Sequence, residues 1–399
     1  MFRTLLPVLL TVFLDLIGFG VVIPLLSFYA GEHGATPLQI TLLMAVYSLA
    51  QFVMAPVWGA LSDRYGRRPI LLLSVGATAI CLFGFSLADS VPMLFLFRTL
   101  HGVATANIST AQAAVADVTP PEKRAMGMGL IGAAFGVGFT LGPLLGGELS
   151  TYGLAVPIQA AAALSAVNFA LTLALLPETR KPGAAPARVR SLNPARFLEV
   201  ARHPVVGLCV VLTFCLTLAF GAMESTFSLF AEHRWQLSAR EVGRMFGAAG
   251  LVMILIQGGL IGRLVKRVGE GPLIPIGVGL LALGLALLPL ARPTGPMVAT
   301  FILIAIGQGI ANPSLQSLIS RGADEHEQGF VLGTNQSMGA LARALGPALG
   351  GLLFTEVSME APFWAAAVVV AACVGLAWAA VRQHQRARAA AGTSSLTST

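Results

Sequence analysis

The stretch Gly59-Ala60-Leu61-Ser62-Asp63-Arg64-Tyr65-Gly66-Arg67-Arg68-Pro69 lies between two long apolar runs. It packs three arginines and one aspartate into six positions, in a chain where only 11% of residues are charged. Such charges do not enter lipid readily, so the stretch reads as a short turn at a membrane surface. It recurs 203 residues later as Gly262-Arg263-Leu264-Val265-Lys266-Arg267-Val268-Gly269-Glu270-Gly271-Pro272, with glycine, leucine, arginine, glycine and proline in register. Two copies imply a chain built twice.

The rest of the sequence agrees with a membrane turn. Apolar residues make up 56% of the 399, whereas soluble domains carry roughly 25% charged residues, more than twice the share here. A spanning helix needs about 20 apolar residues. Breaks at charges, Pro and Gly define twelve candidates: 4–30, 38–61, 70–88, 92–117, 125–149, 154–177, 204–230, 239–264, 272–291, 296–320, 329–355 and 361–381. The run after Arg3 holds Asp15 and two prolines and shows no small-x-small cleavage site, so it reads as a retained first span. The chain is expected to be an all-α membrane protein, with one six-helix bundle at 1–177 and another at 204–381. Residues 178–203 form a Pro-, Ala- and Arg-rich linker, and 382–399 a disordered polar tail. Within the linker, 194–202 reads either as an amphipathic surface helix or as flexible chain.

Charge placement gives the orientation. With both termini cytoplasmic, 19 of the 25 Lys and Arg residues fall on the cytoplasmic side. Arg234, Arg240, Arg244 and Arg292 lie opposite, and Arg98 and Arg343 lie inside spans. This positive-inside bias accounts for the net charge of +7 without a nucleic-acid partner. The four cysteines all lie in apolar runs, and no zinc-ligand spacing appears. No phosphate loop, Gly-x-Ser-x-Gly or His/Glu/Asp cluster suggests an enzyme, a metal or a cofactor.

A second repeated motif strengthens the duplication. Gly142-Pro143-Leu144-Leu145-Gly146-Gly147 in span five matches Gly346-Pro347-Ala348-Leu349-Gly350-Gly351 in span eleven. Six spans per half give both halves one orientation, a parallel pseudo-repeat with the substrate site between halves.

On these residues the chain resembles the major facilitator superfamily over nearly its whole length. The likeness is to the twelve-helix drug:proton antiporters, and within them to the tetracycline-efflux branch. Phe13 to Gly20 followed by Pro24, Tyr47 to Pro69, and Ala116-Asp117-Val118 with Glu122, Lys123 and Arg124 carry it. The resemblance implies proton-coupled export of amphipathic, cationic or zwitterionic small molecules by a single chain in a cell inner membrane. The proton gradient drives it, with no cofactor. A sugar or metabolite uniporter or importer, and a lipid flippase, stand as alternatives on the same fold. The branch has acidic residues in spans three and nine and a histidine in span eight. Cys81, Leu281 and the apolar surroundings of Ile254 occupy those places here, so the resemblance does not extend to tetracycline itself.

The resemblance also implies site residues. Asp63, Arg64, Gly66, Arg67 and Arg68 form a cytoplasmic gate, with Arg67 pairing to Asp117 and Asp63 facing the start of span eleven near Gln328 and Gly329, where a helix N-terminus favours negative charge. The bare alternative is positive-inside anchoring. In the second copy Lys266, Glu270 and Gly271 stand at the positions of Asp63, Arg67 and Arg68, so no latch is expected there. Gly138, Gly142, Pro143, Gly146 and Gly147 match the antiporter motif, read as a rocking hinge or as static close packing.

Charges inside spans cost roughly 2.5–3.5 kcal/mol each on insertion scales, so Asp15, Arg98, Glu224 and Arg343 are expected to face the interior. Glu224 is the first choice for proton coupling: a desolvated carboxyl favours its protonated form, and an arriving cation favours the carboxylate. Asp15 is the second choice, with a structural role as its alternative. Arg98 would be a counter-ion tuning a carboxylate. Arg343 is open to a pair with Glu224 or a carbonyl contact. Glu148 reads as a wet rim residue. Phe19, Gln51, Asn107, Gln112, Phe135, Phe227, Gln257, Asn312, Gln316, Asn335, Gln336 and Arg343 are candidates for the substrate cavity; helix–helix glue is the alternative for each.

Overall fold

The computed structural model describes residues 2–105, 108–119, 124–180, 203, 205–293, 295–322 and 328–396. Among them there is no strand. Seven helices lie before the linker: α1 (Phe2–Glu32), α2 (Pro37–Tyr65), α3 (Arg67–Ser86), α4 (Val91–Ala104), α5 (Ile108–Val118), α6 (Arg124–Leu149) and α7 (Ala155–Leu175). Seven follow it: α8 (Val206–Trp235), α9 (Ala239–Leu255), α10 (Ile261–Val268), α11 (Glu270–Leu287), α12 (Gly295–Gly322), α13 (Gln328–Glu356) and α14 (Ala361–Leu396). Among the described residues, eleven segments are long and apolar enough to cross a membrane. The linker region 194–202 lies outside the described residues.

Three boundaries differ from the sequence expectation. In the fourth span α4 ends at Ala104 with Thr105 as its cap, and 106–107 lie outside the described residues. In lipid, a helix end is tolerated only if its freed carbonyls find donors. Three side chains supply them: Trp58 Nε1 donates to Val103 O at 2.6 Å, Ser74 Oγ to Ala104 O at 2.5 Å and Gln51 Nε2 to Thr105 O at 3.2 Å. The eighth span is interrupted by a π-helical turn, Ile256–Leu260, which holds Gly258 and Gly259. The last helix runs to Leu396, past Val381, where a disordered tail is expected. Residues 382–391 contain no Pro or Gly and are rich in Arg, Gln and Ala, which favour helix.

By its contacts the chain forms two compact units. One comprises Met1–Arg190, Glu224–Leu251 and Pro347–Met359; the other comprises Ser191–Met223, Val252–Gly346 and Glu360–Thr399. The first unit has a core of Leu5, Val8, Val12 and Leu16 on α1 with Leu71, Ala114, Val115, Ile131 and Leu176. Polar bonds reinforce it. Asn168 Nδ2 of α7 donates to Thr11 O of α1 at 3.0 Å, and the Thr11 and Thr172 hydroxyls are hydrogen bonded at 2.9 Å. Between helices in lipid, such bonds and close packing replace the hydrophobic drive. In the second unit, Ile256, Leu273 and Ile310 pack together.

Candidate functional site

The charged knot Gly59–Pro69 folds as a helix–glycine–helix corner. Gly66 has φ 103°, a left-handed conformation that L side chains rarely adopt, and joins α2 directly to α3. Arg67 is its hub. Its Nη1 meets Asp63 Oδ1 at 2.6 Å and donates to Ser62 Oγ at 2.6 Å, and its Nε donates to Asp117 Oδ2 on α5 at 3.1 Å. The Arg67–Asp117 pair is therefore present, and Asp63 belongs to the same cluster. The side chains of Gln328 and Gly329 lie outside the described residues. Arg68 donates from Nη2 to Leu173 O at 2.8 Å, and Arg64 lies over the ring of its neighbour Tyr65.

One residue of this cluster escaped the sequence reading. Glu178 folds back from the end of α7 onto the start of α3. Its carboxylate accepts from the backbone N–H of Arg67 at 2.9 Å, of Arg68 at 3.2 Å and of Arg180 at 2.9 Å. Helix starts leave such N–H groups unpaired, and a carboxylate there also suits the helix dipole. A Cβ on Gly66 would run into the same carboxylate. The available signal was a single acid, Pro177-Glu178-Thr179-Arg180, opening a basic linker.

The second copy of the knot keeps the corner and reverses the charges. Gly269 has φ 84° and joins α10 to α11. Glu270 stands 203 positions after Arg67, and Arg321 stands 204 after Asp117. Arg321 Nη2 donates to Glu270 Oε1 at 2.9 Å, and Ser317 Oγ donates to Glu270 Oε2 at 3.1 Å. The expectation that this copy holds no latch is corrected: the bridge between the corner and the end of the fourth helix of the half survives with its polarity swapped. Arg321 is 55% exposed, so the coupling should be about 1 kcal/mol, roughly fivefold. Glu270→Arg and Arg321→Glu should each slow transport by about that factor, and the double substitution should recover it. Transport assays with expression-matched proteins check this; a double variant as slow as the product of the singles argues against the pair.

The Gly-Pro motif on α6, Gly138 to Gly147, presents two small-residue faces. A Cβ at Gly138 would lie 2.7 Å from Leu16 Cβ, one at Gly142 2.6 Å from Gly20 Cα, and one at Gly146 2.6 Å from Val21 O, all on α1. Gly147 points the other way: a Cβ there would lie 3.0 Å from Gly243 Cα of α9, and one at Gly243 would lie 2.5 Å from Pro143 O. The repeat shows the same device. Gly351 of α13 has no room for a Cβ against Thr41 of α2, and a Cβ on Gly346 would lie 2.7 Å from Leu218 O of α8. At the end of the strip remote from the knot, Glu148 pairs with both Arg240 (2.7 Å) and Arg244 (2.6 Å) on α9. The expected rim residue is thus half-buried, and it is also doubly bridged.

The intramembrane charges sit on four different helices. Arg98 on α4 is fully buried, with its guanidinium 4.3 Å from the centre of the Tyr47 ring and Nη1 3.3 Å from His101 Nδ1. Asp15 on α1 and Glu224 on α8 are half-buried, and Arg343 on α13 is exposed.

Among the cavity candidates, Gln257, Asn312, Gln316 and Gln336 are exposed. Phe19, Gln51, Gln112 and Phe135 are half-buried. Asn107 lies outside the described residues. Phe227 and Asn335 are buried. Phe227 packs edge-on against Phe246 (5.6 Å) and Trp235 (6.4 Å), so it is core in this structure.

The profile of the Major Facilitator Superfamily matches residues 8–347 and 296–398, and the chain belongs to that family. It is 34% identical over 353 residues to the class C tetracycline resistance protein of Escherichia coli, covering 86% of this chain and 88% of the relative. It is 28% identical over 381 residues to multidrug resistance protein 2 of Bacillus subtilis, covering 94% of each. The solved structure of the human organic anion transporter MFSD10 (TETRAN) superposes with a TM-score of 0.70 at 28% identity, over 94% of this chain and 99% of that one. The protein is a multi-pass membrane transporter of this superfamily.

Proposed function

We propose that the protein exports amphipathic small molecules in exchange for protons, by alternating access, as a single chain in the cell inner membrane with both termini cytoplasmic. The observation that carries this reading is the antiporter strip on α6. Gly138, Gly142 and Gly146 bring α6 to backbone contact with α1, while Gly147 brings it to backbone contact with α9. Helices that meet through glycine leave no interlocked side chains to part, so they can slide or separate at low cost. The relatives named for tetracycline and multidrug resistance support export of drug-like compounds. The 19 cytoplasmic Lys and Arg residues support the orientation.

In this reading Glu224 carries the proton. Substrate and proton compete for a carboxylate at mid-span, and competition alone couples their exchange. In an efflux-deleted bacterial host the chain should raise resistance to several amphipathic drugs, and a protonophore should abolish the gain. Resistance that survives the protonophore excludes proton coupling, and no drug phenotype at all favours a metabolite carrier. Glu224→Gln should lower proton-driven efflux by about tenfold or more, the scale of losing about 1.4 kcal/mol or more of coupling, while substrate binding persists. Unchanged efflux would move the role to Asp15.

A further inference from the structure

Arg98 is 1% exposed. Its recorded partners are an aromatic face and one imidazole nitrogen. Its Nε has no hydrogen-bond partner, and among the described residues no carboxylate pairs with it. Withdrawing a guanidinium from water costs several kcal/mol, and a desolvated cation–π contact returns about 2. Among the described residues, nothing neutralises the positive charge left at the site.

Tyr47, the ring over Arg98, ends a row of aromatic side chains. Phe135 and Phe139 of α6 stack at 6.5 Å, Phe139 meets Phe19 of α1 edge-on at 5.7 Å, and Phe19 stacks on Tyr47 of α2 at 5.1 Å. Phe19, Phe135 and Phe139 are half-buried and Tyr47 is buried, so exposure falls along the row toward Arg98. The Tyr47 hydroxyl is hydrogen bonded to that of Thr105 at 2.8 Å, at the end of α4. Four separate helices therefore converge on one arrangement: flat apolar faces leading to a buried fork of N–H donors.

We propose that Arg98 and the row Phe135–Phe139–Phe19–Tyr47 form a subsite for a planar aromatic anion. The ring of the ligand stacks along the phenylalanines. Its carboxylate takes the Arg98 fork when the Tyr47 ring turns aside, exchanging a cation–π contact for a bidentate ion pair, the geometry a guanidinium suits best. The subsite goes beyond the export reading, since an anion does not compete with a proton for Glu224, and it rests on that reading only for what happens after binding.

The test is binding to the purified full chain in lipid nanodiscs without any gradient, so the outcome does not depend on proton coupling. The probes are 2-naphthoate, 2-naphthylmethanol and 2-naphthylmethylammonium, which share a ring and differ in charge. The wild-type protein should bind naphthoate at least about tenfold more tightly than the alcohol. Arg98→Gln should abolish that preference and leave the alcohol within about twofold; Arg98→Lys, which keeps the charge without the fork, should retain part of it. Phe139→Ala should weaken all three probes alike. A wild-type protein that does not prefer the anion overturns the proposal, as does an Arg98→Gln variant that loses all three probes equally while remaining monodisperse. If Arg98→Gln does not fold, a naphthoate affinity unchanged in Arg98→Lys overturns it as well. Export of cations without any anion preference leaves the transport reading intact and removes this subsite.

Discussion

Gly142→Val should abolish transport and lower thermal stability, whereas Gly132→Val, on the same helix, should do neither. A Cβ at Gly142 would fall 2.6 Å from Gly20 Cα, 2.7 Å from Gly20 C and 2.9 Å from Ile17 O. All three are backbone atoms of α1, so no side chain can turn away to make room. The helices must separate along their whole contact, and overpacking of a tight interface costs about 1–3 kcal/mol or more. Nothing lies within 4 Å of a Cβ built on Gly132. Efflux rates in cells and melting of the purified protein check the pair. We expect Gly142→Val to lose more than about tenfold in rate and Gly132→Val less than about twofold. Equal behaviour of the two would mean that the glycines of α6 are composition rather than contact.

Arg67→Ala should impair transport while the chain still inserts with its usual topology. Arg67 joins Asp63, Ser62 and Asp117, and its side chain is only 10% exposed. Removing it leaves two carboxylates, 18% and 28% exposed, close together without their cation. Stripping one partner from a fully buried pair costs about 3–5 kcal/mol. With partial exposure about 2 kcal/mol is the fitting scale, or roughly thirtyfold in the gating equilibrium. Arg67→Lys should fall between, because an ammonium cannot hold Asp63 and Asp117 with separate nitrogens as the guanidinium does. Arg64 and Arg68 remain to anchor the turn, so topology should not change. Transport assays and cysteine-accessibility mapping of the loops separate the two effects. Normal transport by Arg67→Ala would leave the knot as a topological anchor alone.

Much of the site was legible because its signals are local. Gly66 and Pro69 announce a corner, and Asp63 and Arg67 stand one helical turn apart, so their pairing follows from spacing alone. The second copy was harder. Read against the first, Glu270 looked like the loss of an arginine, yet it forms the same bridge with the signs exchanged, because Arg321 changed with it. A pair that reverses both charges keeps its energy and erases its motif. Glu178 was hidden for a different reason: its partners are backbone N–H groups 110 and 111 positions away, which carry no side-chain signature. The end of α4 at Ala104 was hidden likewise, since its last carbonyls are satisfied by Trp58, Ser74 and Gln51 from other helices.

The sequence by itself determined the helical membrane class, the duplication, the direction of the charge bias and the corner at Gly66, because hydrophobic length, positive charge and left-handed glycine act within a few residues. Tertiary structure alone decided which face of α6 meets α1 and which meets α9, that Phe227 is core, and that Arg98 lies under Tyr47 with no carboxylate. Those outcomes depend on which helices become neighbours, and neighbours in lipid are chosen by close packing and by long-range polar bonds, neither of which leaves a periodic trace in the chain.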